Sequence, residues 1–187
     1  MTFSIRHIAL LIGILTIILS FLWFGRDTDT YQIIIIAGLV IASISFLVIL
    51  FKKDSFKSKL LWTLVVIASI GLQWMTESFL VKHSYRYFIK QHENTLNSVT
   101  GLIQTTKSNL FLSPSSELWT RNGFTTQQAN EINEGLEKTG ISFIDKDSSK
   151  IFYMTWGRLD VSHGIYYFFS GHVPDKRYRH IFGNWYY

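Results

Sequence analysis

Residues 31–51 read YQIIIIAGLVIASISFLVILF, without one Lys, Arg, Asp or Glu. A helix rises about 1.5 Å per residue, so a stretch of this length crosses a hydrocarbon layer about 30 Å thick. Outward from it, residues 8–24 and 60–76 are equally free of charge. Short polar connections at 25–30 and 52–59 separate the three runs and force neighbouring helices to be antiparallel. The expectation is a three-helix transmembrane bundle in residues 1–84, with spans at about 8–24, 31–51 and 60–81. Trp23 and Tyr31 fall where interfacial aromatics sit. No small-x-small cleavage pattern follows Phe24, so the first run reads as a retained helix. A single-pass protein with a cleaved leader is the alternative.

Whole-chain averages conceal this layout. A hydrophobic content of 48% would suit a greasy soluble protein, but the apolar residues are concentrated in the N-terminal half. The 18 Lys and Arg exceed the 13 Asp and Glu by only a thin margin spread along the chain. No basic stripe suits a phosphate backbone, so nucleic acid is not an expected partner. The absence of cysteine excludes disulfides, thiolate metal ligands and a Cys nucleophile. Serine-hydrolase, phosphate-loop and dinucleotide signatures are also absent from the sequence.

Lys52, Lys53, Lys57 and Lys59 crowd the second connection, whereas Arg26 stands alone in the first. Positively charged loops stay in the cytoplasm. The expected topology in the cell membrane has a cytoplasmic N-terminus and an extracytoplasmic C-terminal domain. Lys82, Arg86 and Lys90 pull the other way. Gly38 and Ala42 form a small-xxx-small pair, and Ala68 and Gly71 lie a turn apart in the third span. In lipid, such residues permit close helix approach. Gln73 and Glu77 share one face near the end of that span. An ionisable group there is either a functional carboxylate or an interfacial one that meets water or Lys82.

Residues 85–187 are about the size of one small domain. Tyr85, Phe88, Ile89, His92, Leu96, Val99, Leu102 and Ile103 recur at helical spacing, extending the third span into a long amphipathic helix. Pro114 marks residues 108–116 as a loop. Thr125 and Gln128 fit a capping box, and Gly140 a C-terminal stop, predicting a helix over 126–139. The period then changes to two over 141–144, 150–156, 164–170 and 178–186, with polar turns between. The fold class expected is therefore an α+β membrane protein, its small second domain having helices packed on a four-stranded antiparallel meander.

Asp160, His163, His172, Asp175 and His180 are the best polar constellation. Carboxylates and imidazoles ligate metals and move protons. A meander would place Asp160 and His163 in one turn and His172 and Asp175 in the next, at opposite ends of a strand. They are then not one site, and neither a metal nor a cofactor is expected. Both faces of the meander are apolar, so something must cover the second. A helix or loop of the chain, the bilayer surface, a second copy or a protein partner would serve. Tyr166, Phe168, Trp156 and Trp185 are the candidate partner-binding residues. The resulting expectation is a non-catalytic membrane protein whose extracytoplasmic domain binds a protein partner or envelope component. A membrane enzyme using the His and Asp turns, or Glu77, is the alternative.

Overall fold

The computed structural model describes residues 4–24, 28–53, 55–158, 161–170 and 175–187. The chain is α+β and divides into two compact units, Met1–Ser84 and Tyr85–Tyr187. The first holds α1 (Ile5–Ser20), α2 (Thr28–Phe51) and most of α3 (Phe56–Gln91). The second continues from the end of α3 through α4 (Glu93–Gln104), β1 (Leu110–Leu112), α5 (Ser116–Arg121) and α6 (Thr126–Thr139). It ends in β2 (Phe143–Lys146), β3 (Lys150–Arg158), β4 (Val161–Phe168), β5 (His180–Phe182) and β6 (Trp185–Tyr186).

Two helices, α2 and α3, are long and apolar enough to cross a membrane. The first apolar run forms a shorter helix than the sequence implies. It begins at Ile5 and gives way after Ser20 to turns, in which Leu22, Trp23 and Phe24 donate to carbonyls three residues back at 3.0, 2.9 and 3.3 Å. Phe24 and Phe21 then pack on Tyr31, with ring centroids 5.3 and 5.9 Å away. The Ser84 hydroxyl donates to the Phe24 carbonyl at 2.7 Å.

Small residues bring α1 and α2 into backbone contact. A Cβ on Gly13 would lie 2.6 Å from the Ala42 nitrogen, and one on Gly38 2.9 Å from Ile17 Cγ1. Gly38 and Ala42 therefore mark a helix contact, and Gly13 is its counterpart on α1. Gly71 faces open space and Ala68 is exposed, so the corresponding pair on α3 makes no such contact. Instead, Trp62 of α3 joins Leu10 and Ile49 in a buried cluster. The His7 ring stacks on the indole at 4.5 Å, nearly parallel. Outside these contacts the unit is turned inside out. Among the described residues, every exposed large hydrophobic side chain except Tyr87 and Phe111 belongs to Met1–Ser84.

The second unit is a six-stranded antiparallel sheet in the order β1-β2-β3-β4-β6-β5. Six strands replace the four read from periodicity. Leu110–Leu112, inside the expected loop, pairs with β2, and the final apolar stretch folds at Gly183 into the β5–β6 hairpin. The sheet is not a simple meander, because β6 lies between β4 and β5. The long helix also breaks. His92 has φ −110° and ψ 16°, which ends α3 and begins α4.

One sheet face carries Ile144, Ile151, Tyr153, Ile165 and Trp185, all buried. Helix α4 covers it with Leu96, Val99 and Ile103 on its buried side, and Tyr153 Oη and Thr100 Oγ1 share a hydrogen bond of 2.7 Å. Helix α6 packs against α4, Gly135 lying under Val99 and Thr95. Its capping box is as the sequence implies. Thr125 Oγ1 accepts from Gln128 N–H at 3.2 Å, Gln128 Oε1 accepts from Thr125 N–H at 3.0 Å, and Gly140 closes the helix at φ +69°.

Gly13→Leu forces a branched side chain against the α2 backbone and should cost about 1–3 kcal/mol, the usual scale of overpacking. A lower unfolding midpoint in detergent checks this. An unshifted midpoint would show that α1 and α2 do not meet at Gly13.

Candidate functional site

The opposite sheet face is aromatic. In the β3–β4 register Lys150 lies across from Phe168, Phe152 from Tyr166 and Met154 from Gly164. Phe152 and Tyr166 stack at 4.6 Å. Tyr178, from the segment before β5, folds over this end. Its ring meets Tyr166 at 4.8 Å and Phe168 at 5.1 Å, edge to face. Lys150 fastens it by donating from Nζ to Tyr178 Oη at 2.8 Å, and the same ammonium lies 5.0 Å from the Tyr178 ring centroid. Partly desolvated, such a contact is worth about 1 kcal/mol.

The charge on Lys150 is set locally. The hydrogen bond to Tyr178 raises its pKa above the ordinary lysine value, against the opposing effect of burial. Burial pushes Tyr166 up, and the neighbouring Tyr178 adds to it. Burial would also raise Asp147, but donation from Ser149 and Lys150 N–H holds its carboxylate below the ordinary value. Asp147 thus closes the β2–β3 turn and sets the start of the strand that presents Lys150.

Among the described residues, the other end of this face is uncovered. Phe111 on the edge strand β1 is 75% exposed and contacts Phe143 of β2 edge to face at 4.3 Å. Phe143 pairs across the sheet with Met154, and both are half-buried. Asp145, opposite Phe111 in the β1–β2 register, is an exposed carboxylate beside them. The result is a small apolar patch with an acidic neighbour on the sheet surface.

The residues singled out by sequence fall in several places. Asp160 and His172 lie outside the described residues. His163 is in β4, across from Trp156, rather than in a turn, because β3 continues to Arg158 and β4 begins at Val161. Burial lowers its pKa, favouring the neutral imidazole. Asp175 is exposed and engaged within its own turn, where Oδ1 accepts from Arg177 N–H at 3.2 Å and Oδ2 pairs with Arg177 Nε at 3.3 Å. His180 Nε2 lies 3.0 Å from the Gly183 carbonyl. Glu77 is exposed on α3.

Of the aromatic candidates, Phe168 and Trp185 are buried. Trp185 packs on Tyr153 and Tyr167 at 5.8 and 5.0 Å. Tyr166 is half-covered, and the Trp156 side chain is outside the described residues. Phe111, Phe143, Lys150 and Tyr178 are the surface residues that periodicity missed. Phe111 sits within a stretch marked as loop by Pro114, and the Lys150–Tyr178 contact spans 28 residues.

A shallow cleft of about 170 Å³ between α4 and α6 is lined by Ser98, Glu131, Glu134 and Lys138 among others. Among the described residues, no group of three or more His, Cys, Asp or Glu side chains is placed to hold a metal ion. No family model matches the chain, and no curated protein or solved structure is detectably similar to it.

Tyr178→Phe keeps the ring and removes the acceptor for Lys150, at an expected cost of about 0.5–1.5 kcal/mol. The folded pKa of Lys150 is raised, so its contribution is present below the unfolded value of 10.5 and is lost as pH rises above it. Buried Tyr153 acts in the same direction, from an unfolded value of 10.0. Stability should therefore decline above about pH 10, less steeply in Tyr178→Phe than in the parent. Thermal midpoints across that range check both points, and parallel curves would remove the Lys150–Tyr178 bond from the account.

Proposed function

We propose that Met1–Ser84 is a three-helix membrane anchor and Tyr85–Tyr187 an extracytoplasmic binding domain without a catalytic role. The anchor reading rests on the distribution of exposed apolar side chains. Ile33, Ile36, Ile44, Leu47, Leu64, Ile67 and Ile70 are about half exposed or more. Full burial of one such side chain is worth about 1.5–3 kcal/mol in water, so a shell of them facing solvent is untenable. Hydrocarbon removes that cost. In this reading α1 completes the bundle, with the turns after Ser20 carrying the chain on to Phe24. The lysine-rich α2–α3 connection stays in the cytoplasm, leaving the second unit outside.

The observation that carries the binding role is the exposure of Phe111. Among the described residues of the second unit, Phe111 and half-exposed Tyr87 are the exposed large hydrophobic side chains, the others being buried or half-buried. Phe111 sits on the edge strand β1, beside Phe143 of β2 and its cross-strand neighbour Met154 of β3, where a partner gains both an apolar anchor and open backbone groups. The occupant this fits is a protein partner or an envelope component with an apolar contact surface. Its carboxylate neighbour, Asp145, favours a basic group alongside that surface.

Two measurements test the reading. The full chain should pellet with membranes and resist alkaline extraction, and a reporter fused after Tyr187 should be active only outside the cytoplasm. A chain that stays in the supernatant without detergent sinks the anchor, and a cytoplasmic reporter signal sinks the sidedness. Phe111→Ser should leave the unfolding free energy within about 0.5 kcal/mol of the parent, as surface changes do. It should also sharply reduce whatever protein is crosslinked at this patch in intact cells. Unchanged crosslinking would move the binding surface elsewhere.

A further inference from the structure

Residues 85–92 and 175–187 hold Arg86, Lys90, Lys176, Arg177 and Arg179, against Asp175 as their single acid. We infer that these cations form a site for anionic phospholipid head groups at the bilayer surface. The inference rests on the membrane reading above, but not on which side of the membrane the second unit occupies.

The end of α3 sets the level of the site. From Leu60 to Val81 the helix rises about 32 Å, enough to fill a hydrocarbon layer of about 30 Å. Glu77 is the one charged residue in that stretch. The helix then runs on unbroken to Gln91. Arg86 therefore stands about 8 Å past Val81 along the axis. That is head-group level, since the polar zone adds about 5–8 Å to each side of the hydrocarbon. Tyr87 beside it is 49% exposed, and amphipathic rings are favoured at this boundary.

The fold carries the second stretch to the first. Tyr85 is buried, and its ring lies 5.5 Å from that of Tyr187. Tyr187 N–H donates to the Arg179 carbonyl at 3.0 Å, and Arg179 N–H to the Tyr187 carbonyl at 2.8 Å. Residues paired in this way project their side chains from one sheet face. Arg179 therefore rises beside the ring that packs on Tyr85, the neighbour of Arg86. All five basic side chains are exposed, and Arg177 shares its charge with Asp175. Acidic residues gather elsewhere, with Glu131, Glu134 and Glu137 on α6.

The occupant follows from level and charge. Phosphate diesters spread over a surface call for scattered exposed cations rather than a pocket. The span fixes those cations within about one Debye length of the head groups, about 8 Å at physiological ionic strength. Weak attractions then add along the surface, because the tether has already removed the cost of encounter. A free anion has no such tether. This role also accounts for Arg86 and Lys90 following a span whose orientation Lys52, Lys53, Lys57 and Lys59 set against them.

The test uses the full chain in phosphatidylcholine–phosphatidylglycerol vesicles, with a head-group diazirine on one lipid at a time. Labelled peptides are mapped by mass spectrometry. Label from phosphatidylglycerol should exceed label from phosphatidylcholine severalfold at residues 86–90 and 176–187. The excess should vanish in about 1 M salt, where the Debye length is about 3 Å. Arg86→Gln, Lys90→Gln and Arg179→Gln together should abolish it there while sparing the excess at the lysine connection, 52–59. Arg86→Lys with Arg179→Lys should retain it. Equal labelling by both lipids at the site, with the excess kept at 52–59, overturns the lipid site in favour of a protein partner and leaves the anchor standing. Absence of label at both places overturns the anchor and the site with it. An excess that survives both salt and the Gln variant overturns the role of these cations. Loss of the excess on adding inorganic phosphate at constant ionic strength overturns the assignment to lipid.

Discussion

Carbonyl and amide groups satisfied inside each helix are what allow the side chains of Met1–Ser84 to face outward as hydrocarbon. A helix closes its backbone hydrogen bonds within itself, so its surroundings need supply none. The side chains are then free to match the solvent, and 14 of the 24 residues of α2 are Ile, Leu, Val or Phe. Such a surface in water would drive aggregation, and in lipid it gives no hydrophobic force for helix association. In the proposed membrane anchor, packing must come from shape. That requirement explains why the α1–α2 contact is built on Gly13, Gly38 and Ala42, whose missing or minimal side chains let one backbone touch the other.

The same requirement leaves α3 at a distance. It has no glycine facing the pair, and Gly71 looks onto open space. Near its start α3 is held by one large residue, Trp62, which fills the interval between Leu10 and Ile49 with Val65 and Val66 beside it and carries the His7 ring on its face; near its end the Ser84 hydroxyl bonds the Phe24 carbonyl. A bulky side chain can bridge helices that small residues cannot bring together.

Sequence made legible whatever depends on near neighbours. The capping box of Thr125 and Gln128 and the stop at Gly140 need only residues a few positions apart, so α6 was readable to its ends. The apolar runs of α2 and α3 were readable because composition alone defines them. What escaped depends on distant pairing. Leu110–Leu112 is too short to show a period and becomes a strand only because β2 offers it an edge. Lys146 is buried on the covered sheet face, where periodicity alone calls for an apolar residue. It fits there because its ammonium donates to the Ser108 carbonyl at 3.1 Å. The break at His92 interrupts a stripe whose spacing runs on unbroken. The aromatic surface was visible in outline, but Tyr166, Phe168 and Trp185 could not be told from a binding face without Tyr178 and the β5–β6 hairpin in place.

Coverage of the second sheet face is what relocates the candidate partner site. A sheet with two apolar faces must bury both, and here five rings, Phe152, Tyr166, Phe168, Tyr178 and Tyr186, do much of that work on the second face from within the chain. Tyr178 closes the β4 end, held by a lysine that bonds its hydroxyl and borders its ring. Among the described residues, no comparable side chain reaches the β1 end. Edge strands invite pairing, and proteins usually blunt them with charge, proline or brevity. β1 is brief, with Pro114 just beyond it, yet its outward residue is a phenylalanine rather than a lysine. Brevity limits indiscriminate pairing while the ring keeps the position sticky, a combination that suits one selective contact better than either full protection or an open edge.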